Sequence, residues 1–424
     1  MGIKKQLVIG AAALAYMQGA YSLELTLLGG AELEWTDNVY LSNENRRNDL
    51  LETIRAGVRA EDSDTWYELN LDYEASHERY ERESFDAETY YSGAASVLLI
   101  PLPDRFDWLF SVESTTTQRD SVLADTPDNR DQRNIYRTAP RLVLLALSRD
   151  TVALNAEASR ITFRDDEESE SNRVGGSLTW DHQLSVLTSL NLTGGHQKVN
   201  FELAEDYERD SYSLGFTRQI NNGTISLSAG QTRLTPEESE ELEGANYMGS
   251  IEWGTDLHSF RFDAIHDLTD TSAGFASGVN TSPEFLSPTD INTGEVDIIT
   301  RTRFSLSDTY LVTGATTLYG MIYNDDEESE TDPADTTERT GGVLSVRRGL
   351  NPDVDLELAG RYEKSREGVD EIEDDTVNIR LSLYKRFGEQ VTLAGWLERE
   401  EGDGEVDEQD YEVHRVGASL TAEF

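Results

Sequence analysis

Apolar residues in this chain recur at every second position, and few folds accept that pattern along so much of a sequence. Val152, Leu154, Ala156 and Ala158 alternate with Ala153, Asn155, Glu157 and Ser159. Val354, Leu356, Leu358, Gly360 and Tyr362 alternate with Asp355, Glu357, Ala359 and Arg361. Val377, Ile379, Leu381 and Leu383 do the same, as do Val416, Leu420 and Phe424 around Ala418 and Ala422. A helix would bring apolar residues together three and four positions apart; a period of two is that of strands with one apolar and one polar face.

The pattern divides into about twenty segments (18–22), each roughly 9–13 residues long, the length of a tilted strand crossing a bilayer. Short turns are expected near Glu61–Asp64, Leu102–Arg105, Arg149–Asp150, Asp181–Leu184, Asn221–Gly223, Gly254–Leu257, Ser307–Thr309, Gly349–Asp353 and Phe387–Glu389. Long polar connections fall between them: Asp37–Asp49, Glu78–Asp86, Thr117–Arg133, Arg164–Ser171, Lys198–Asp210, Thr235–Glu243, Asp267–Thr293, Asn324–Glu338, Glu363–Asp375 and Arg399–Asp410. Short and long connections in turn are what an up-and-down antiparallel barrel produces. A soluble sandwich also alternates, but has no reason to sort its loops by length. The expected fold is therefore an all-β transmembrane barrel over residues 23–424, without a plug domain. Both termini would be periplasmic and the long connections extracellular. The longest connection, Asp267–Thr293, either occupies the lumen or lies over the surface.

The first 22 residues read as a signal peptide: Lys4 and Lys5, an apolar Leu7–Met17 stretch, and the small-x-small site Ala20-Tyr21-Ser22. No later run has the length of a membrane helix. There is no cysteine, which suits an oxidising compartment without a disulfide framework. Net charge is −46, from 82 acidic and 36 basic residues, which argues against a nucleic-acid partner. Six histidines lie scattered without ligand spacing, and neither a Gly-x-Ser-x-Gly elbow nor a phosphate loop occurs. Neither an enzyme nor a resident cofactor or metal is expected. Acidic runs at Asp165–Glu170, Asp325–Glu330 and Glu398–Glu408, assigned to the long loops, could bind Ca²⁺ or Mg²⁺ at the surface or simply be solvated.

On the polar faces, Arg55, Arg59, Glu68, Asp72, Arg301, Arg303, Arg361 and Arg380 are candidates to line the lumen, with Tyr384 and Trp396 also inward. Charges facing each other across a pore would select ions; charges paired along the wall would only satisfy one another.

The terminal strand ending in Phe424 resembles the signal by which bacterial outer-membrane barrels are recognised for assembly. The run Thr36-Asp37-Asn38-Val39-Tyr40-Leu41-Ser42 closing the first strand, with Arg137-Thr138-Ala139-Pro140-Arg141-Leu142 opening a later one, resembles a second group. These are outer-membrane barrels that accompany exopolysaccharide synthesis and exosortase (PEP-CTERM) systems, overlapping the family called β-barrel porin 2. The resemblance implies a Gram-negative outer-membrane location. It also implies contact with lipid, lipopolysaccharide and the barrel-assembly machinery, and a channel or accessory role in exopolysaccharide export. A cation-preferring diffusion porin and an adhesive or structural surface barrel are the alternatives. The sequence does not decide oligomeric state.

Overall fold

A strand with one apolar edge and one polar edge needs partners on both sides, and every such segment here finds them. The computed structural model describes residues 23–119, 126–166, 169–273, 296–331, 336–368, 372–404 and 410–424. Within them lie β1 (Glu24–Thr36), β2 (Asp49–Asp64), β3 (Tyr67–Tyr80), β4 (Glu88–Leu102), β5 (Phe106–Gln118), β6 (Arg130–Ala146) and β7 (Asp150–Phe163). Next come β8 (Ser171–Ser185), β9 (Thr188–Phe201), β10 (Tyr207–Ile220), β11 (Gly223–Pro236), β12 (Leu242–Gly254) and β13 (His258–Asp270). The last are β14 (Ile298–Thr313), β15 (Thr316–Ser329), β16 (Thr337–Asn351), β17 (Val354–Glu367), β18 (Ile372–Phe387), β19 (Val391–Gly404) and β20 (Tyr411–Glu423). Each pairs antiparallel with its successor, and β20 returns to β1, so the 20-stranded sheet closes on itself. Closure removes the unpaired edges that hydrocarbon cannot satisfy.

The two ends of the barrel differ as expected. Turns of two or three residues join the strands at one end, and all the longer connections emerge at the other. No separate plug domain is present among the described residues. The expected leader, residues 1–22, lies outside them, as do residues 274–295 of the longest connection and residues 167–168 and 405–408 of the acidic runs.

One face of the sheet carries exposed apolar side chains, including Leu27, Leu33, Leu154, Leu178, Leu214, Leu227, Leu344, Leu358 and Leu381. This is the outer face. Five of the six tryptophans lie on it or in the turns, near the rims of its apolar band. Trp66, Trp108, Trp180 and Trp253 stand near the short turns, and Trp35 near the long connections. Tyr91, Tyr212, Tyr247 and Tyr362 add to the second rim, giving the two aromatic girdles of a barrel spanning a bilayer.

The strands run 13–17 residues, longer than the alternation suggests. Three expected turns, near Glu61–Asp64, Asp181–Leu184 and Ser307–Thr309, lie wholly inside β2, β8 and β14, with the true turns a few residues later, and Gly349–Asp353 lies largely inside β16. At the other end, cross-strand ion pairs carry the ladders past the apolar band. Lys364 and Arg366 meet Glu373 at 2.5 and 2.8 Å, and Arg399 meets Glu412 at 2.9 Å. Asp325–Glu328 and Glu398–Gly404 are accordingly strand residues, not loop residues, which corrects the placement of two acidic runs.

The seam between β1 and β20 is fastened at both ends. Leu27 and Phe424 exchange N–H···O bonds of 2.9 Å, with the Phe424 ring exposed on the outer face. At the other end, the Thr36–Ser42 run forms a knot against β20. Asp37 accepts from the His414 N–H at 2.7 Å, and the wholly buried Asn38 donates from Nδ2 to the Glu412 carbonyl at 3.0 Å. Asn38 Oδ1 accepts from Ser42 N–H at 3.3 Å, while Leu41 takes a left-handed φ of 50° and packs with Tyr411 and Val413. Asn38→Ala should take the side-chain acceptor from the half-buried Ser42 N–H and leave the Glu412 carbonyl with Arg46 alone, at 2.6 Å, and should cost about 1 kcal/mol. Urea unfolding of the refolded barrel reads that loss; an unchanged midpoint would show that the knot does not hold the seam.

Candidate functional site

The inner face begins with alternation, because each outward residue forces its neighbours inward. Arg55, Arg59, Glu68, Asp72, Arg301, Arg303, Arg361 and Arg380 all fall on that face, as do Tyr384 and Trp396. The structure brings most of them into one ladder and leaves Glu68 apart, exposed near the short turn after β2.

That ladder runs around the wall from β14 to β3. Arg301 meets Glu327 at 2.8 Å and shares Asp325 with Arg339, at 3.5 and 3.3 Å. Arg303 stands opposite Asp325 in the β14–β15 register. Arg361 meets Glu363 at 2.7 Å, and the Tyr323 hydroxyl donates to the same carboxylate. Arg380 meets Glu398 at 2.6 Å. Arg415 binds Glu398 at 2.6 Å and Glu400 at 2.7 Å, and approaches Glu34 at 3.8 Å. Trp396 Nε1 donates to Glu34 at 3.2 Å. Arg55 lies 3.4 Å from Glu32, and Arg59 lies 3.0 Å from Asp72. The charges thus pair along the wall. The described lysines, Lys198, Lys364 and Lys385, all point outward, leaving the inner ladder to arginine. A guanidinium fork holds two or three carboxylates at once, which an ammonium does less well.

The wall from β8 to β12 is of another kind. At mid-height it presents Ser177, Thr179, Thr193, Ser213, Ser228 and Ser250, with Asn155 of β7 donating to Ser177 and Thr179 at 3.2 Å each. Neutral hydroxyls there face the lumen opposite the charged ladder.

At the long-connection end the interior narrows. β4 stays paired with β3 as far as Glu78↔Glu88, but its ladder to β5 stops at Gly93↔Ser114. Gly93 has a φ of 126°, and a Cβ there would lie 2.1 Å from the Asp72 carbonyl oxygen, so only glycine fits the bend. Beyond it the β5–β6 tip leans inward. Arg130 comes within 3.8 Å of Glu78 on the inner face of β3, and the Gln132 amide exchanges two 2.7 Å bonds with the backbone of Tyr91. The root of the longest connection also folds inward, through Asp267, Leu268 and Asp270 on one side and Ile298 and Ile299 on the other. The sequence alone leaves that connection's place open. It does not mark Arg173, Tyr207 or Asp270, because their meeting joins strands far apart in the chain and no local pattern announces it.

No family model matches the chain, and no curated protein matches it. Solved structures are similar to it. The FrpB iron transporter of Neisseria meningitidis (F3-3 variant) is 9% identical, with 97% of this chain and 83% of that chain covered and a TM-score of 0.48. The outer-membrane protein OpdK of Pseudomonas aeruginosa is 10% identical over 95% and 99% of the two chains, with a TM-score of 0.43. In-vitro folded OmpT of Vibrio cholerae is 11% identical over 96% and 99%, with a TM-score of 0.39.

Proposed function

We propose that this barrel sits in a Gram-negative outer membrane, short turns in the periplasm and long connections outside, and passes a hydrophilic solute through its lumen. A sheet of twenty strands closes around more space than its own side chains fill. The observation that carries the reading further is the character of the two walls. Most charges on the β14–β3 side pair with one another, which weakens the transverse field for sorting ions, while the β8–β12 side offers neutral hydroxyls. Such a lining suits a neutral, hydroxyl-rich cargo, and an exopolysaccharide strand is the cargo that the Thr36–Ser42 resemblance also suggests. Phe424 would serve assembly, and the charged strand ends above the outer aromatic girdle would meet lipopolysaccharide, with Mg²⁺ or Ca²⁺ as bridging ions.

Planar-bilayer recording tests this. Steady conductance with weak ion selectivity is expected, and neutral oligosaccharides should reduce the current. Strong cation preference with no sugar effect would favour a diffusion porin instead. Silence of the parent protein and of every variant described below would sink the channel reading and leave a surface scaffold.

A further inference from the structure

The ladder between β12 and β13 ends early. It runs from Gly254↔Ser259 to Tyr247↔His266, although β12 continues to Leu242 in register with β11. Past His266 the end of β13 no longer lies beside β12; it crosses the inner face of the wall. Leu268 packs among Val199 of β9, Tyr207 of β10 and Leu234 of β11, all nearly inaccessible. It sits directly over Gly244 of β12, where an added Cβ would lie 3.0 Å from the Leu268 Cβ. Asp267 is held by Arg209 and by the Thr232 hydroxyl, which donates at 3.1 Å. Asp270 reaches β8, five strands away. There Arg173 donates to both its carboxylate oxygens at 2.8 and 2.7 Å, and Tyr207 and Ser272 donate as well. Side-chain exposure is 7% for Arg173 and nil for Asp270.

A bidentate pair withdrawn from water this completely fixes register and orientation and tolerates little displacement. The apolar cluster beneath it gives the strand end a dry seat. Glycine at position 244 gives Leu268 that room; a Cβ there would press it back by a few tenths of an ångström.

We propose that the β13 end, clamped by Arg173 and Asp270 and seated on Gly244, is a fixed internal strap that sets the aperture of the long-connection mouth. Arg173 and Asp270 are positioning residues here: they hold the obstacle, and cargo need not touch them. The proposal rests on the channel reading above.

The test is single-channel conductance of refolded protein, with folding checked separately by heat-modifiable mobility. Arg173→Ala and Asp270→Ala should each raise conductance at least twofold. The swap Arg173→Asp/Asp270→Arg should return it toward the parent level, which general loosening of the barrel would not do. Gly244→Val fills the seat of Leu268 without touching a charge and favours strand structure, so it serves if the charge variants do not fold; it too should raise conductance. A silent parent with conducting Ala or Val variants would also support the strap. A conducting parent matched by every folded variant would overturn the strap and leave the channel intact. Silence throughout would overturn both.

Discussion

Arg415→Met should lower the unfolding free energy of the barrel by about 3 kcal/mol, the lower end of what breaking a buried ion pair costs, since the lumen admits some water. Arg415 is the hub of the inner ladder. It joins Glu398 and Glu400 on β19 to Glu34 on β1, and so spans the β20 seam from both sides. The side chain of Glu398 is only 4% exposed, and it also accepts from Arg380 at 2.6 Å. Without Arg415, three carboxylates face one another with one guanidinium between them. Replacing Glu398 and Glu400 by Gln in the Met background removes two of those charges and should recover more than half of the loss. A loss below about 1 kcal/mol in the single variant would mean that water, not arginine, satisfies these carboxylates.

Strand faces were legible because alternation is a covalent property of an extended chain. Leu178, Leu214 and Leu381 point outward wherever the strand ends fall, and Arg361 and Arg380 point inward by the same rule. Strand ends were less legible, because the hydrogen-bonded ladder does not stop where apolar side chains stop. Asp308 shows why Ser307–Thr309 looked like a turn. It is an acid on the outer face, yet it is paired with His258 at 3.0 Å, and that ring stacks on Tyr310 with centroids 4.4 Å apart. The pairing lets a strand continue through a triplet that resembles loop composition. Least legible was the inward crossing of β13. Leu268 keeps the parity of the outward residues His258–His266, yet it is buried inside because its ladder to β12 has ended. Periodicity reports which residues share a face of a strand, not where the strand goes. The Thr36–Ser42 run stands out as a motif, but its work depends on Glu412 and His414, which lie at the other end of the chain.

Leu358→Arg should cost about 2–4 kcal/mol of barrel stability, because a guanidinium on the lipid face at mid-depth has neither water nor a counter-charge. Leu358 is 52% exposed on the outer face, midway between the short turn before Val354 and the girdle residue Tyr362. Leu356 faces the same way but lies two residues from the start of β17, so the same substitution there should cost only about 0–1 kcal/mol, the range found near the interfaces. Glu357 lies between them on the opposite face, across from Arg347 and Ser382. Glu357→Arg should therefore fold normally and move the reversal potential toward anions by adding positive charge to a wet wall. Refolding into lipid vesicles followed by denaturant titration ranks the three variants. The expected order of damage is 358, then 356, then 357. Equal damage at 357 and 358 would contradict the assignment of faces, and equal damage at 356 and 358 would contradict the depth at which the apolar band is placed.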